Sequence, residues 1–267
     1  LVLGEGIQIT PPVLGLIASF GHGQFPVANM PRIAIVSTGD ELVKPGTALA
    51  EGQIYDSNSY MLAAAVSALG LPKPKIVHAR DNEDDTLKAF TEALETADLV
   101  ISAGGVSVGD HDYVKTVLEE RLKVTTVFWR TAIKPGKPVY FSYLDPSPQK
   151  RTLIFGLPGN PVSALITFNL FVKPALLALQ GARDPRITVD SASMLVDLKK
   201  KQGRLEFVRG ILGSAKGALN VLPTRGQDSH MLGGLAKANC LIRFPEDKTN
   251  LQKGNLVEVE KLNWNNY

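Results

Sequence analysis

The chain has 267 residues, 44% hydrophobic and 21% charged, with a mean hydropathy of +0.03. That length allows one large domain or two ordinary ones, and that composition excludes a disordered or fibrous polypeptide. A formal charge of +3, from 29 basic against 26 acidic residues, is too small to make nucleic acid the default partner, so any anion chemistry has to be local. Cys240 is the one cysteine and cannot close an internal disulfide; its place in the apolar run Ala238 to Ile242 reads as a buried neutral thiol in a reducing, cytoplasmic setting. The longest apolar stretch is interrupted at Asn169 and Lys173, and no membrane insertion is expected. The start at Leu1 rather than methionine reads as processed or truncated.

Residues 1–30 form an entry segment, with Thr10-Pro11-Pro12 as a cap, a short helix over the apolar run Val13 to Ser19, and a turn at Gly21 and Gly23. From residue 31 to 181, short β-branched runs alternate with helical stretches, which predicts a three-layer α/β domain with a mainly parallel sheet. The strands are Ile33 to Ser37, Lys75 to Ala79, Leu99 to Ser102 and Leu153 to Phe155, all expected to be buried on both faces. Helices are expected at Ser57 to Leu69, Asp84 to Thr96 and Tyr113 to Glu120, and another begins at Asn160-Pro161 and runs to Leu179. Val124 to Ala132 and Val139 to Tyr143 read as strands around a turn. Residues 182–267 turn to short alternating segments between glycines, the pattern of a small β-barrel or sandwich domain, ending in a frayed tail from Asn263.

The unusual residues follow the strands. Thr38-Gly39-Asp40-Glu41, Arg80-Asp81, the run from Gly104 through Ser107 to Asp112, and Gly156 to Pro161 each come directly after a predicted strand. In an open parallel sheet these segments share the carboxyl edge, where ligands bind. Gly104 and Gly105 expose backbone amides ahead of a helix N-terminus, which suits an oxyanion. Glu41, Asp81 and Asp112 come from three strand ends; two carboxylates about 4 Å apart at an effective dielectric constant of about 20 repel by about 4 kcal/mol, so a cation such as Mg²⁺ is called for. Helix capping by the same carboxylates is the competing explanation. In Lys134-Pro135-Gly136-Lys137-Pro138, two lysines around a stiff turn can aim at one small dianion. His22, His78, His111 and His230 lack zinc-type spacing, and there is no serine-hydrolase elbow, P-loop or dinucleotide fingerprint.

STGDELVKPG (37–46), GQIYDSNSYML (52–62), SAGGVSVGDHDYVK (102–115), AIKPGKP (132–138) and GLPGNPVSALITF (156–168) resemble the molybdopterin molybdenumtransferase family, the bacterial MoeA proteins and the related domain of gephyrin. GRLEFVRG (203–210), GQDSHMLGGLAKANCLIRFPE (226–246) and GNLVEVE (254–260) are similar to that family's C-terminal β domain. The resemblance implies insertion of molybdate into adenylylated molybdopterin with release of AMP. It implies that Lys134, Lys137, Pro138, Ser163 and Arg209 surround the molybdate, and that Glu41, Asp81 and Asp112 serve Mg²⁺ and the adenylate. By the same resemblance Thr38, Gly39, Asp40, Gly104, Gly105, Ser107 and Ser229 contact the molybdopterin substrate. It further implies a homodimer in the full-length protein, an upstream adenylyltransferase as a candidate partner, and an N-terminal region of family members that has no counterpart here. Two alternatives stay open: a molybdopterin adenylyltransferase-like enzyme and a non-catalytic binding or scaffold module.

Overall fold

The computed structural model describes residues 3–105, 113–147, 150–215 and 217–262. A six-stranded sheet runs in the order Lys75–Ala79, Ile33–Thr38, Leu99–Ala103, Lys150–Leu157, Tyr140–Ser147, Thr125–Phe128. The first four strands are parallel, and the last two fold back as antiparallel neighbours.

Alternation along the central strands builds the two outer layers. Ile33, Ile35, Leu99 and Ile101 enter one apolar cluster with Leu62, Val162 and Leu176, so the Ser57–Ser67 helix and the long helix from Pro161 cover that face. Ala34, Val36 and Val100 enter another with Phe90, Val117 and Leu118, under the Glu83–Thr96 helix and the helical stretch from Tyr113 to Arg121. Every residue of Ile33–Thr38 and Leu99–Ala103 is buried, as strands covered on both faces require. Lys75–Ala79 departs from that expectation. It pairs only with Ile33–Thr38, lies at the sheet edge, and leaves Lys75, Ile76 and His78 exposed; Lys75 is free to reach Glu92 at 2.7 Å.

Local signals place the helices. Asp56 caps Ser57–Ser67 by accepting from the Ser59 amide at 3.0 Å, and its other oxygen accepts from the Ser37 hydroxyl at 2.9 Å. Asn82 caps Glu83–Thr96 by accepting from the Asp85 amide at 2.9 Å, and Glu83, Asp84 and Asp85 face the positive end of the helix dipole. Pro161–Leu179 is 19 residues long with a mean hydropathy of 1.8, apolar and long enough by composition to cross a membrane. Its Val162, Leu165, Phe168, Val172 and Leu176 lie in the core, which accounts for that apolarity. The helix widens to π spacing over Phe168–Val172, just ahead of Pro174, which has no amide proton to donate.

The second expected architecture is a barrel rather than a sandwich. Ala218–Pro223, Val189–Met194, Leu256–Lys261, Cys240–Phe244 and Leu205–Ala215 pair in turn, and Leu205–Ala215 pairs again with Ala218–Pro223, closing a ring of five strands. Inside it are Met194, Val208, Val221, Ile242 and Cys240, whose thiol is pushed up to about 12 by burial. A sixth strand, Ile133–Lys134, adds to the outer edge of Leu205–Ala215 in parallel; only Thr125–Phe128 of the predicted 124–132 strand stays in the first sheet. Phe207 and Leu241 of the barrel strands, with Leu235 and Leu262 from segments beside them, share a core cluster with the α/β layers. The entry helix is Pro11–Ser19, with none of its residues buried. The tail from Asn263 lies outside the described residues.

Arg32 and Asp98 pin the starts of the two central strands through the Arg32 amide at 2.8 Å and a two-point guanidinium contact at 2.9 and 3.2 Å. The hydrogen bonds from Arg32 hold the Asp98 carboxyl below its ordinary value. A depressed carboxyl adds stability above its unfolded pKa and loses it as pH falls through the folded one. Asp98→Asn is therefore expected to flatten the acid limb of a stability-versus-pH curve measured by urea unfolding. Asn82→Ala should lower the unfolding free energy by about 1 kcal/mol in the same experiment, through loss of the cap.

Candidate functional site

Strand register sets the site. Ala79 pairs with Thr38, Ser37 with Ala103, Ala103 with Leu157, and Gly156 with Tyr140, so the segments after Thr38, Ala79, Ala103 and Leu157 and the one before Tyr140 leave the same edge of the sheet. That row carries the Thr38–Glu41 turn, Asp81, the glycine pair, the Gly159-Asn160 loop and the lysine turn.

At one end, the Gly39 amide donates to the Ala79 carbonyl at 3.4 Å and the Asp81 amide to Asp40 Oδ1 at 3.1 Å, stitching two strand ends together. Gly39 has φ +144°, and a Cβ there would lie 2.8 and 2.9 Å from the Glu41 carboxylate oxygens. Glu41 therefore folds back over a glycine that no larger residue could replace without moving it. Thr38 is buried, while Asp40, Glu41 and Asp81 are exposed.

The glycine pair obeys a stronger steric rule. Gly104 and Gly105 have φ +100° and +69°, and a Cβ on Gly105 would sit 2.4 Å from Val114 Cγ2 and 2.9 Å from Thr38 Oγ1. The Gly104 carbonyl accepts from Ser102 Oγ at 2.9 Å, and its amide donates to the Leu157 carbonyl at 3.2 Å. Ser107 and Asp112 lie outside the described residues. Among the described residues, no three His, Cys, Asp or Glu side chains come together as a metal-holding group.

The lysine turn is held from two sides. Thr131 donates its amide to the Lys137 carbonyl at 3.0 Å and its hydroxyl to the Gly136 carbonyl at 2.9 Å. Gly136 is buried at φ +110°, where a Cβ would meet Thr167 Cγ2 at 2.4 Å, so the turn seats directly on the helix that carries Ser163. Ser163 is buried, Lys137 exposed and Pro138 half-buried. Lys134 Nζ donates to both carboxylate oxygens of Glu206, at 3.2 and 3.4 Å.

Arg209 is gripped by a loop of its own domain. It is 1% exposed, and its guanidinium donates to the carbonyls of Gly226, Asp228 and Met231 at 2.7, 3.2 and 3.1 Å and to Gln227 Oε1 at 3.3 Å. Burial pushes the guanidinium below its ordinary value, partly offset by the charge of Asp228. The cation thus braces the 226–231 loop from inside. Gln227 completes the frame, its amide nitrogen donating to the carbonyls of Arg209 and Thr224 at 3.0 and 2.8 Å. The loop docks on the α/β layers where the Val162 amide donates to the Ser229 carbonyl at 3.2 Å, bringing Ser229 to the first turn of the Ser163 helix.

Two groups result. Thr38, Gly39, Asp40, Glu41, Asp81, Gly104 and Gly105 occupy one stretch of the edge, and Lys134, Lys137, Pro138, Ser163 and Ser229 gather around the helix from Pro161. Sequence reasoning missed Asp56, Asn58, Glu206 and Gln227 as individual residues. Asn58 Nδ2 donates to the Gly159 carbonyl at 2.7 Å, and Asp56 carries the cap that aims it there; the Asp-Ser-Asn start of that helix was the available signal. Glu206 and Gln227 lie in alternating or polar stretches that nothing in the pattern marks.

Residues 34–178 match the family described as a probable molybdopterin binding domain, and residues 191–262 match the MoeA C-terminal region (domain IV). The molybdopterin molybdenumtransferase of Haemophilus influenzae is 39% identical over 265 residues, covering 98% of this chain and 64% of that protein. Molybdopterin molybdenumtransferase 2 of Mycobacterium tuberculosis is 37% identical, with the same two shares of 98% and 64%. The crystal structure of a molybdopterin biosynthesis MoeA protein from Pyrococcus horikosii superposes with a TM-score of 0.79 at 27% identity, covering 97% of this chain and 61% of that one. The chain thus spans less than two thirds of the length of these relatives. With the first match alone extending over more than half of its residues and the second over the barrel, the chain belongs to the molybdopterin-binding domain family, in the MoeA-type arrangement.

Proposed function

We propose that this chain carries the insertion of molybdate into adenylylated molybdopterin, releasing AMP and yielding molybdenum cofactor. The observation that carries the reading is the shared edge: a carboxylate and glycine-turn stretch and a two-lysine turn leave the same side of one sheet, each seated on a glycine, Gly105 and Gly136, where a Cβ would lie 2.4 Å from a packed side chain. The family membership and the names of its relatives supply the chemistry that such an edge would perform.

In this reading Lys134 and Lys137 hold the molybdate dianion, with Pro138 and Ser163 walling the turn. Thr38, Gly39, Asp40, Gly104, Gly105, Ser107 and Ser229 receive the pterin and its phosphate; the Gly39 and Gly104 amides are already given to the Ala79 and Leu157 carbonyls, so among these three glycines the Gly105 amide is the donor this reading assigns to the phosphate. Arg209 is a positioning residue, acting through the loop that carries Ser229. Glu41 and Asp81 offer only carboxylate oxygens, the donor type a hard dication takes, and Mg²⁺ needs no more than one or two of them, with Asp112 as a further candidate. When bound, Mg²⁺ supplies polarisation of a phosphate oxygen. The chain's own contribution is to bring two anionic reactants together, and proximity of that kind can lower a barrier by several kcal/mol, up to about 7 or more.

The full-length protein is proposed to work in the cytoplasm as a homodimer, downstream of an adenylyltransferase that makes its substrate. The exposed entry helix supports a subunit contact: none of its residues is buried, and Leu14 within it and Phe20 just after it are 50% and 60% exposed.

The test is AMP release from adenylylated molybdopterin with molybdate and Mg²⁺, in the chain extended to the length of its relatives. Lys134→Ala and Lys137→Ala should each lower the rate about 100-fold, the scale of losing one oxyanion donor; unchanged molybdate insertion in the double variant overturns the reading. Arg209→Ala leaves three loop carbonyls without their donor, at about 1 to 3 kcal/mol each if they stay buried. It should speed proteolytic cleavage within residues 224–231 and slow AMP release, and Arg209→Lys should restore neither, since one ammonium cannot span those carbonyls.

A further inference from the structure

The Lys134–Glu206 ion pair joins one of the two proposed molybdate lysines to a glutamate to which the reaction just described gives no role, and strand register builds the pair. Leu205 pairs with Ile133 and Glu206 with Lys134 in parallel register, so the backbone holds the two side chains next to each other. Arg204 adds a donor to the Ile133 carbonyl at 3.4 Å, bracing the same junction. The Glu206 side chain is 15% exposed and that of Lys134 54%. The lysine can therefore swing toward a ligand in solution, while the glutamate stays in place. Whatever anion Lys134 receives is met by a fixed negative charge one strand away.

We propose that Glu206 is an internal counter-ion that sets the charge selectivity of the lysine turn. The inference rests on the reading of that turn as an oxyanion site and adds a residue to it. Coulomb repulsion scales with the charge of the ligand, so Glu206 penalises a dianion twice as heavily, in free energy, as a monoanion of the same shape. Such a penalty has a use. A site that must pass its oxyanion on gains nothing from holding it tightly in the ground state, because uniform binding does not speed the chemical step. With Lys134 already neutralised by Glu206, the empty turn also does not saturate with whatever dianion is most abundant.

The experiment compares molybdate and perrhenate, tetrahedral oxyanions of charge −2 and −1, binding to the 267-residue chain and to Glu206→Gln by calorimetric titration at low ionic strength. Removing one unit charge about 6 Å from the ligand in a water-like dielectric should tighten perrhenate about threefold and molybdate by the square of that, about tenfold. Both gains should shrink as salt is added. Equal gains for the two anions, or weaker molybdate binding in the variant, overturn the proposal while leaving the oxyanion site standing, since they would make Glu206 a steric or orienting partner of Lys134. Binding of neither anion by either protein removes the oxyanion reading itself and the inference with it. Glu206→Asp, which retains the charge and draws it back by one methylene, covers the case in which Glu206→Gln fails to fold. It should give smaller gains in the same squared relation, and no gain counts against the proposal.

Discussion

The pairing of Ile133 and Lys134 with the barrel strand Leu205–Ala215 is the contact on which the arrangement of the site depends. That strand closes the barrel on both sides, against Cys240–Phe244 and Ala218–Pro223, and it also carries Arg209. One rigid element thereby fixes the lysine turn through its first two residues and the Ser229 loop through its fifth. Five strands in a closed ring leave little freedom to slide, because a shift at one seam would have to be matched at every other. The precision of the lysine turn is thus borrowed from a domain that contributes few of the candidate ligand-binding side chains.

Sterics and electrostatics divide the work along the sheet edge. At Gly39, Gly105 and Gly136 a Cβ would meet a carboxylate oxygen, a valine methyl and a threonine methyl below 3.0 Å. These turns are therefore packed as tightly as core, even though Asp40, Glu41 and Lys137 beside them are exposed. Charge is handled by pairing instead. Asp40 accepts from the Asp81 amide, Lys134 is met by Glu206, and the buried Arg209 is surrounded by carbonyls and an amide rather than by a carboxylate. A buried guanidinium with several acceptors in its own loop orients that loop, with the charge of Asp228 nearby.

The long helix from Pro161 links these parts. It starts beneath the Ser229 loop, its Thr167 methyl packs under Gly136, and its later turns fill the core between sheet and barrel. At Lys173 the helix comes close enough to the barrel for Glu260 to influence its ammonium, which burial pushes below its ordinary value. Glu260 is itself buried and bonded to Arg243 at 2.7 Å, so the interface between the two architectures contains charge as well as apolar surface. Desolvation at such a seam penalises sliding, since any shift would leave a buried charge without its partner.

Much of this was legible in the chain. Continuous apolar runs at Ile33 and Leu99, the Asn-Pro start near residue 160 and the change to glycine-separated segments after residue 182 specify a parallel α/β sheet and a small β domain, because strand burial and helix capping are local requirements that leave periodic traces. The glycine pair and the Pro-Gly turn between the two lysines were visible because a positive φ is a local demand that favours glycine, whereas the contacts with Thr38 and Thr167 that exclude a Cβ at Gly105 and Gly136 come from distant segments. Other features carry no local trace. That Lys75–Ala79 lies at an edge, that residues 133–134 leave the sheet to join the barrel, that Arg209 faces loop carbonyls, and that Glu206 stands beside Lys134 all depend on which strand lies next to which. Residue types and short periods record what a segment needs from its own backbone; the partners of a charge more than seventy residues away are chosen only when the barrel closes and brings them into register.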